Sequence, residues 1–272
     1  ASLRIGIMGV LLAGGSYALR SGGGPRVASD LRFEECATKA GLHHVHTLCH
    51  LSEKLKNIMP WLTSVGAAVA AADVDGDGLV DLYVTESGRG DSNHLFRNRG
   101  DGTFEDITTL SGTGVGNETG ASMAAVFGDI DNDGDPDLYV VMWAEKNRLF
   151  ENLGGGRFRD ITDASGTGFW GYGNGATFVD YDRDGLLDLF VGNYFPEAVP
   201  DPATGKLRRL DLWDPFTTRV MHESFTRARN GGRNAFYRNL GNNRFEDVTE
   251  ELGLGYTGWT LAVGAADLDN DG

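Results

Sequence analysis

"DVDGDGLVDLYV" (residues 73–84) places Asp73, Asp75 and Asp77 at alternate positions, then Gly78, then Asp81, and runs on into a strand-like segment. The pattern D-x-D-x-D-G-x-x-D supplies carboxylates at positions 1, 3, 5 and 9. A backbone carbonyl is available at position 7, here Leu79, and the glycine at position 6 permits a sharp turn. Oxygen donors at this density suit a hard cation, and calcium accepts six to eight of them in flexible geometry. Without a cation the carboxylates repel one another. The loop therefore reads as one that is ordered by bound Ca2+.

The theme returns as "DIDNDGDPD" (129–137), "DYDRDGLLD" (180–188) and "DLDNDG" (267–272). By position the expected ligands are Asp73, Asp75, Asp77 and Asp81 with Leu79; Asp129, Asp131, Asp133 and Asp137 with Asp135; and Asp180, Asp182, Asp184 and Asp188 with Leu186. Asp267, Asp269 and Asp271 start a fourth, incomplete set. An EF-hand needs a glutamate at position 12 and flanking helices. Position 12 is Val84, Val140 and Val191, each within a strand-like run, so position 9 must close the site. The plain alternative is a set of solvated hairpin tips; three complete copies at one place in a repeat argue against it.

A second motif follows each complete cluster: "NHLFRNRGDGTFEDIT" from 93, "NRLFENLGGGRFRDIT" from 147 and "NAFYRNLGNNRFEDVT" from 234. In the middle copy, "SMAAVFGDI" (122–130), "DLYVVMW" (137–143), "RLFENL" (148–153) and "RFRDIT" (157–162) are four strand-like runs, with "GGG" (154–156) a tight hairpin between the last two. Four antiparallel strands in a unit of about 50 residues is the design of a β-propeller blade. The fold expected is all-β, with blades at about 66–109, 122–163 and 175–249, the last carrying an insert at 196–232, and a fourth starting at 259–272. "FEECA" (33–37) matches the last strand of the other copies and reads as an orphan outer strand. Propellers close with about four to eight blades. The count here implies part of a longer propeller, closed by further chain or by a partner.

With 24 basic and 39 acidic residues and a formal charge of −15, the chain is a poor partner for nucleic acid and a fair one for cations. Forty glycines fit many tight turns. At the N-terminus, Arg4 precedes the uncharged run Ile5–Leu19 and Arg20 ends it. Residues 1–20 read equally as a secretory signal or a membrane anchor within an apolar helix, and 21–30 as a linker. Both place the rest outside the cytoplasm, with membrane contact through residues 5–19. In that compartment Cys36 and Cys49 are expected to pair as a disulfide, two free thiols being the alternative.

The opening "FEECATKAGLHHVH", the blade start "GAAVAAADVDGDGLVDLYV" and the blade end "LFRNRGDGTFEDIT" resemble the FG-GAP/VCBS repeat proteins, and within them the cartilage-acidic-protein-like, ASPIC/UnbV-associated branch. The resemblance covers about residues 31–272. It implies a seven-bladed, integrin-α-like propeller with calcium in its hairpin loops, an exported location and a role in binding or adhesion.

Three further features compete for function. "CATKAGLHHVHTLCH" (36–50) holds His43, His44, His46 and His50, whose spacing matches no zinc pattern; exposed histidines on a closed loop are the favoured reading over a transition-metal site. "RGDS" (89–92) is a tripeptide signal too short to carry an adhesion role alone. The insert contains prolines, aromatics and a basic cluster at Lys206, Arg208 and Arg209, and reads as either a partner-binding loop or a cover for one rim. No nucleophile elbow, phosphate loop or H-E-x-x-H occurs. The sequence thus reads as an exported, calcium-binding, non-catalytic module for protein partners, an accessory subunit of a membrane-associated complex being one form of it. The alternatives are an adhesion protein using the insert or RGDS loop, and a propeller enzyme or metal-redox protein using the His-rich loop.

Overall fold

The computed structural model describes residues 34–55, 66–115, 117–201, 203–213 and 229–268. The N-terminal apolar run, the linker, Phe33, Asp269 and Asp271 lie outside them. Residues 1–35 cluster as one unit and 36–272 as another; the account below concerns the second.

The repeats fold as expected, into four-stranded antiparallel blades of a partial β-propeller. Blade one is β1 (Val69–Ala72), β2 (Asp81–Val84), β3 (His94–Asn98) and β4 (Phe104–Asp106), paired in that order. Blade two is β5 (Ala121–Gly128), β6 (Asp137–Lys146), β7 (Arg148–Asn152) and β8 (Phe158–Asp160). Blade three is β9 (Trp170–Val179), β10 (Asp188–Asn193), β13 (Ala235–Asn239) and β14 (Phe245–Asp247). The insert folds as its own hairpin, β11 (Ala198–Pro200) with β12 (Leu207–Arg209), and leaves the β10–β13 pairing intact. The first strands of successive blades, β1, β5 and β9, neighbour one another, as the inner strands of a propeller must.

The hydrophobic pattern explains the stacking. Side chains alternate across a strand. On β6, Leu138, Val140 and Met142 enter the core shared with blade one, beside Tyr83, Leu95 and Ile107, while Tyr139 and Val141 enter the core shared with blade three, beside Leu189, Val191 and Tyr237. The strand is apolar on both faces because a blade lies on each side. A third core, opposite the acidic loops, gathers Trp143, Tyr172, Phe195 and Leu210 with Cys49 and Leu51.

β9 begins at Trp170, earlier than the expected blade start near 175, because Trp170 to Tyr172 pair with Lys146 to Trp143 of β6. Blades two and three thereby form one continuous sheet. The orphan outer strand is not seen among the described residues: Glu34–Cys36 carry no strand, and Ala37–Gly41 form a turn closed by the Ala40 N–H to the Cys36 carbonyl, 2.8 Å. The turn nevertheless keeps the repeat. Its counterparts are the helical turns α1 (Thr108–Ser111) and α2 (Thr162–Ser165), each following the outer strand of a blade. All three end on a glycine of positive φ, Gly41, Gly112 and Gly166. A Cβ on these would lie 2.8, 3.3 and 3.3 Å from the carbonyls of Phe104, Phe158 and Phe245, so each turn sits against the outer strand of the next blade. The described part of the expected fourth blade start (259–272), residues 259–268, carries no strand; Thr260 N–H bonds the Asn193 carbonyl at 3.1 Å and Val263 packs against β9 and β10.

Candidate metal centre

The three complete loops join the first and second strands of their blades at one rim, and their geometry repeats. The position-1 aspartate turns its carboxylate inward over the loop backbone. Asp73 accepts N–H bonds from Gly76, Asp77 and Gly78 at 2.8–3.2 Å; Asp129 accepts from Asp133 and Gly134, and Asp180 from Asp184 and Gly185, at 3.0–3.1 Å. That wrap needs left-handed backbone at position 6, supplied by Gly78, Gly134 and Gly185 (φ 85–95°). It also needs it at position 4, where Gly76, Asn132 and Arg183 all have φ between 60 and 75°. The position-4 requirement escapes the sequence motif because three different residues meet it.

Position 9 is the buried anchor. Asp81, Asp137 and Asp188 are at most 1% exposed. One carboxylate oxygen of each accepts the N–H of position 2 (Val74, Ile130, Tyr181) at 2.9–3.0 Å; the other accepts the N–H of the asparagine ending the third strand (Asn98, Asn152, Asn239) at 2.7–2.8 Å. The asparagine side chain reaches onward. Asn152 Nδ2 donates to the Val74 carbonyl of loop one and Asn239 Nδ2 to the Ile130 carbonyl of loop two, at 2.9 and 2.8 Å. Loops one and two are thus each fastened to the next blade by that blade's second motif asparagine.

Carboxylate oxygens of positions 1, 3 and 9 converge in every copy, all within 4.8 Å of one another: Asp73, Asp75 and Asp81; Asp129, Asp131 and Asp137; Asp180, Asp182 and Asp188. The expected fourth carboxylate stands apart from these groups. Asp77, Asp133 and Asp184 accept the position-7 N–H of Leu79, Asp135 and Leu186 at 2.8–2.9 Å. Burial makes these carboxyls weaker acids: it pushes the Asp137 pKa up to about 7 against two N–H bonds, and raises Asp81, Asp188 and Asp131 above their ordinary value. Asp131 Oδ1 is buried without a hydrogen-bond partner. A pocket of oxygen-only donors, with one of them unpartnered and the closing carboxylate buried, fits a hard divalent cation. Asp267 of the fourth set is exposed.

The other expected sites fall out differently. Cys36 and Cys49 are free thiols, which corrects the expected disulfide. Cys36 is exposed on the first turn, whereas Cys49 is 2% exposed in the core beside Trp143 and Phe195, where burial pushes its thiol up to about 12. His43 and His50 are exposed, while His44 and His46 turn toward Glu86, a residue no sequence motif marks. The RGDS segment is exposed at the rim opposite the loops, with Arg89 set 5.3 Å over the Trp213 ring of the insert. Arg209 lies 4.2 Å over Trp170, and Arg208 pairs with Asp201 at 3.8 Å. Lys206 is exposed at the turn of the insert hairpin.

Stacked four-stranded blades, each bearing an acidic loop between its first two strands, define a partial repeat propeller with an acidic loop in every blade. The FG-GAP-like repeat family matches residues 73–140, 129–191 and 225–272, more than half of the chain, and the chain belongs to this family. The first two matches begin on position 1 of one loop and end on position 12 of the next. Among curated relatives, cartilage acidic protein 1 of Xenopus tropicalis is 28% identical over 138 residues, covering 47% of this chain and 21% of its own length. Integrin alpha-4 of Xenopus laevis is 29% identical over 189 residues, covering 61% of this chain and 18% of its own length. The chain therefore spans about a fifth of the length of these relatives.

Proposed function

We propose that this chain is a calcium-stabilised β-propeller segment that serves, outside the cytoplasm, as a non-catalytic module for protein partners. The observation that carries the reading is the threefold convergence of position-1, -3 and -9 carboxylates at one rim. Calcium there supplies positive charge and flexible oxygen coordination. The chain's own residues do the rest: position 1 wraps the loop, position 9 ties it to the blade, and the asparagine ties it to the next blade. The cation does structural work and no chemistry.

Partner binding is assigned to the opposite rim. There the insert hairpin, Arg89, Trp170, Arg208, Arg209 and Leu210 border an open cleft of about 590 Å³. Arginine and tryptophan in a cleft are the residue types that anchor protein interfaces. Export is supported by the Arg4–Arg20 apolar run and by calcium loops suited to the higher calcium outside the cell. Among the described residues no helix is long and apolar enough to cross a membrane. A form held in a membrane-associated complex would thus depend on the N-terminal run or on its partners.

Asp75→Ala tests the cation reading. It should lower the melting temperature in calcium and leave the chelator-treated protein unchanged; equal melting of variant and parent in calcium would refute the site. Deleting 196–232 tests the rim: a partner recovered with the parent should be lost from a deletion variant that keeps its calcium-dependent melting.

A further inference from the structure

Glu86 is a buried carboxylate, 3% exposed, just past β2 at the rim opposite the acidic loops. Its Oε1 accepts N–H bonds from Thr47 (2.7 Å), Ser87 (2.9 Å) and Gly88 (3.3 Å). No arginine or lysine meets it among the described residues. Its ionic partners are His44, whose Nε2 is 3.5 Å from Oε2, and His46, whose Nδ1 is 3.5 Å from Oε1. Burying a carboxylate without a cation is costly.

The two imidazoles are presented by an extended run. In "HHVH" (43–46) alternate side chains point to opposite sides, so His44 and His46 face Glu86 while Val45 is 86% exposed. His44 Nε2 is buried with no hydrogen-bond partner. His46 Nδ1 faces only acceptors, the Thr85 carbonyl at 3.3 Å and Glu86 Oε1. One donor atom from each of the three residues lies within 4.8 Å of the others. Tetrahedral ligands at zinc bond lengths stand roughly 3.3 Å apart, close to both 3.5 Å separations.

We propose that His44, His46 and Glu86 form a site for a first-row divalent transition cation, with zinc as the type, distinct from the acidic calcium loops. Two imidazoles and one carboxylate make a borderline donor set that suits zinc, cobalt or iron(II), whereas calcium prefers the all-oxygen loops. Three ligands leave a coordination position for water or an incoming ligand, the open type of site. The His94 ring, 5.1 Å from His44, stands beside it, with its own Nδ1 held by Asp106 at 2.8 Å. The three ligands come from two segments that lie 40 residues or more apart in sequence, which is why no spacing motif marks them.

The test uses the full chain carrying Cys36→Ser, which removes the exposed thiol, with calcium in excess to fill the acidic loops. Cobalt(II) is titrated in and its visible absorption bands are read, then zinc is added in competition. One cobalt per chain, displaced by zinc, is expected. His44→Ala and His46→Asn should each weaken binding at least tenfold, while Asp131→Asn in loop two should leave it unchanged. Glu86→Gln, which keeps the side-chain shape, should weaken it similarly, with calcium-dependent melting showing that each variant is folded. Absence of uptake, uptake retained by folded His44→Ala and His46→Asn, or uptake lost with Asp131→Asn would each overturn the site.

Discussion

Loop two and its neighbours carry the same nine-residue pattern in different electrostatic surroundings. In blade one the third strand brings Arg97 to 3.9 Å from Asp75, and in blade three it brings Arg238 to 3.8 Å from Asp182. Blade two has Glu151 at the matching position of "RLFEN", and that residue pairs with Arg159. Among the described residues no arginine or lysine pairs with Asp131, one of its oxygens is unpartnered, and burial pushes Asp137 beneath it up to about 7. The contrast teaches that a repeat motif fixes the shape of a cation site while a residue outside the motif sets its charge balance. An arginine beside a ligand partly neutralises the empty loop and opposes the filled one. Loop two should therefore gain most from a bound cation.

The largest expected effect is at position 9. Asp137→Ala strips the partner from two N–H groups and removes the closing ligand. It should cost about 3 kcal/mol in calcium, and more than Asp81→Ala, with the excess disappearing in chelator. Denaturant unfolding in both conditions checks this; an equal cost of the two variants in calcium would break the contrast. The next effect should be common to all loops. Gly78→Ala, Gly134→Ala and Gly185→Ala each force a Cβ into left-handed backbone and should cost about 1–2 kcal/mol apiece; unequal costs would mean that the backbone, not the charge, distinguishes the loops. The smallest effect tests the arginine itself. Arg97→Gln should tighten calcium binding in loop one and Glu151→Arg should weaken it in loop two, each roughly threefold, read by calorimetry at low salt and fading as salt is raised.

Much of this was legible in residues close together in the chain. The aspartate loops, the hairpin glycines 154–156 and the strand alternation of β5 to β8 are local signals, and the structure follows them. What was not legible depends on distant partners. Cys49 and Cys36 have a spacing that suits a loop-closing bridge, yet Cys49 is claimed by a core whose tryptophan and phenylalanine come from blades two and three. Glu86 has no motif; it gains meaning only when residues 44–47 fold across the end of β2. Arg183 in left-handed backbone is likewise dictated by the wrap of Asp180, a demand that the glycine and asparagine in the sister loops satisfy more plainly. The position-5 aspartates, ligands by spacing, each hold the position-7 N–H on one carboxylate oxygen and stand outside the converging groups of positions 1, 3 and 9.

The pairing of β10 with β13 across the insert has a consequence for how such a chain can diverge. In blade two the second and third strands are joined through Asn147 alone; in blade three the same junction admits the whole β11–β12 hairpin, and the ladder on either side keeps its register. One rim of the blade is under strict length control, because the loop aspartates and the asparagine latch count residues. The other tolerates insertion at almost no structural penalty. The surface on one side of the blades can therefore be rewritten by mutation and insertion while the acidic-loop side keeps its length and its latch.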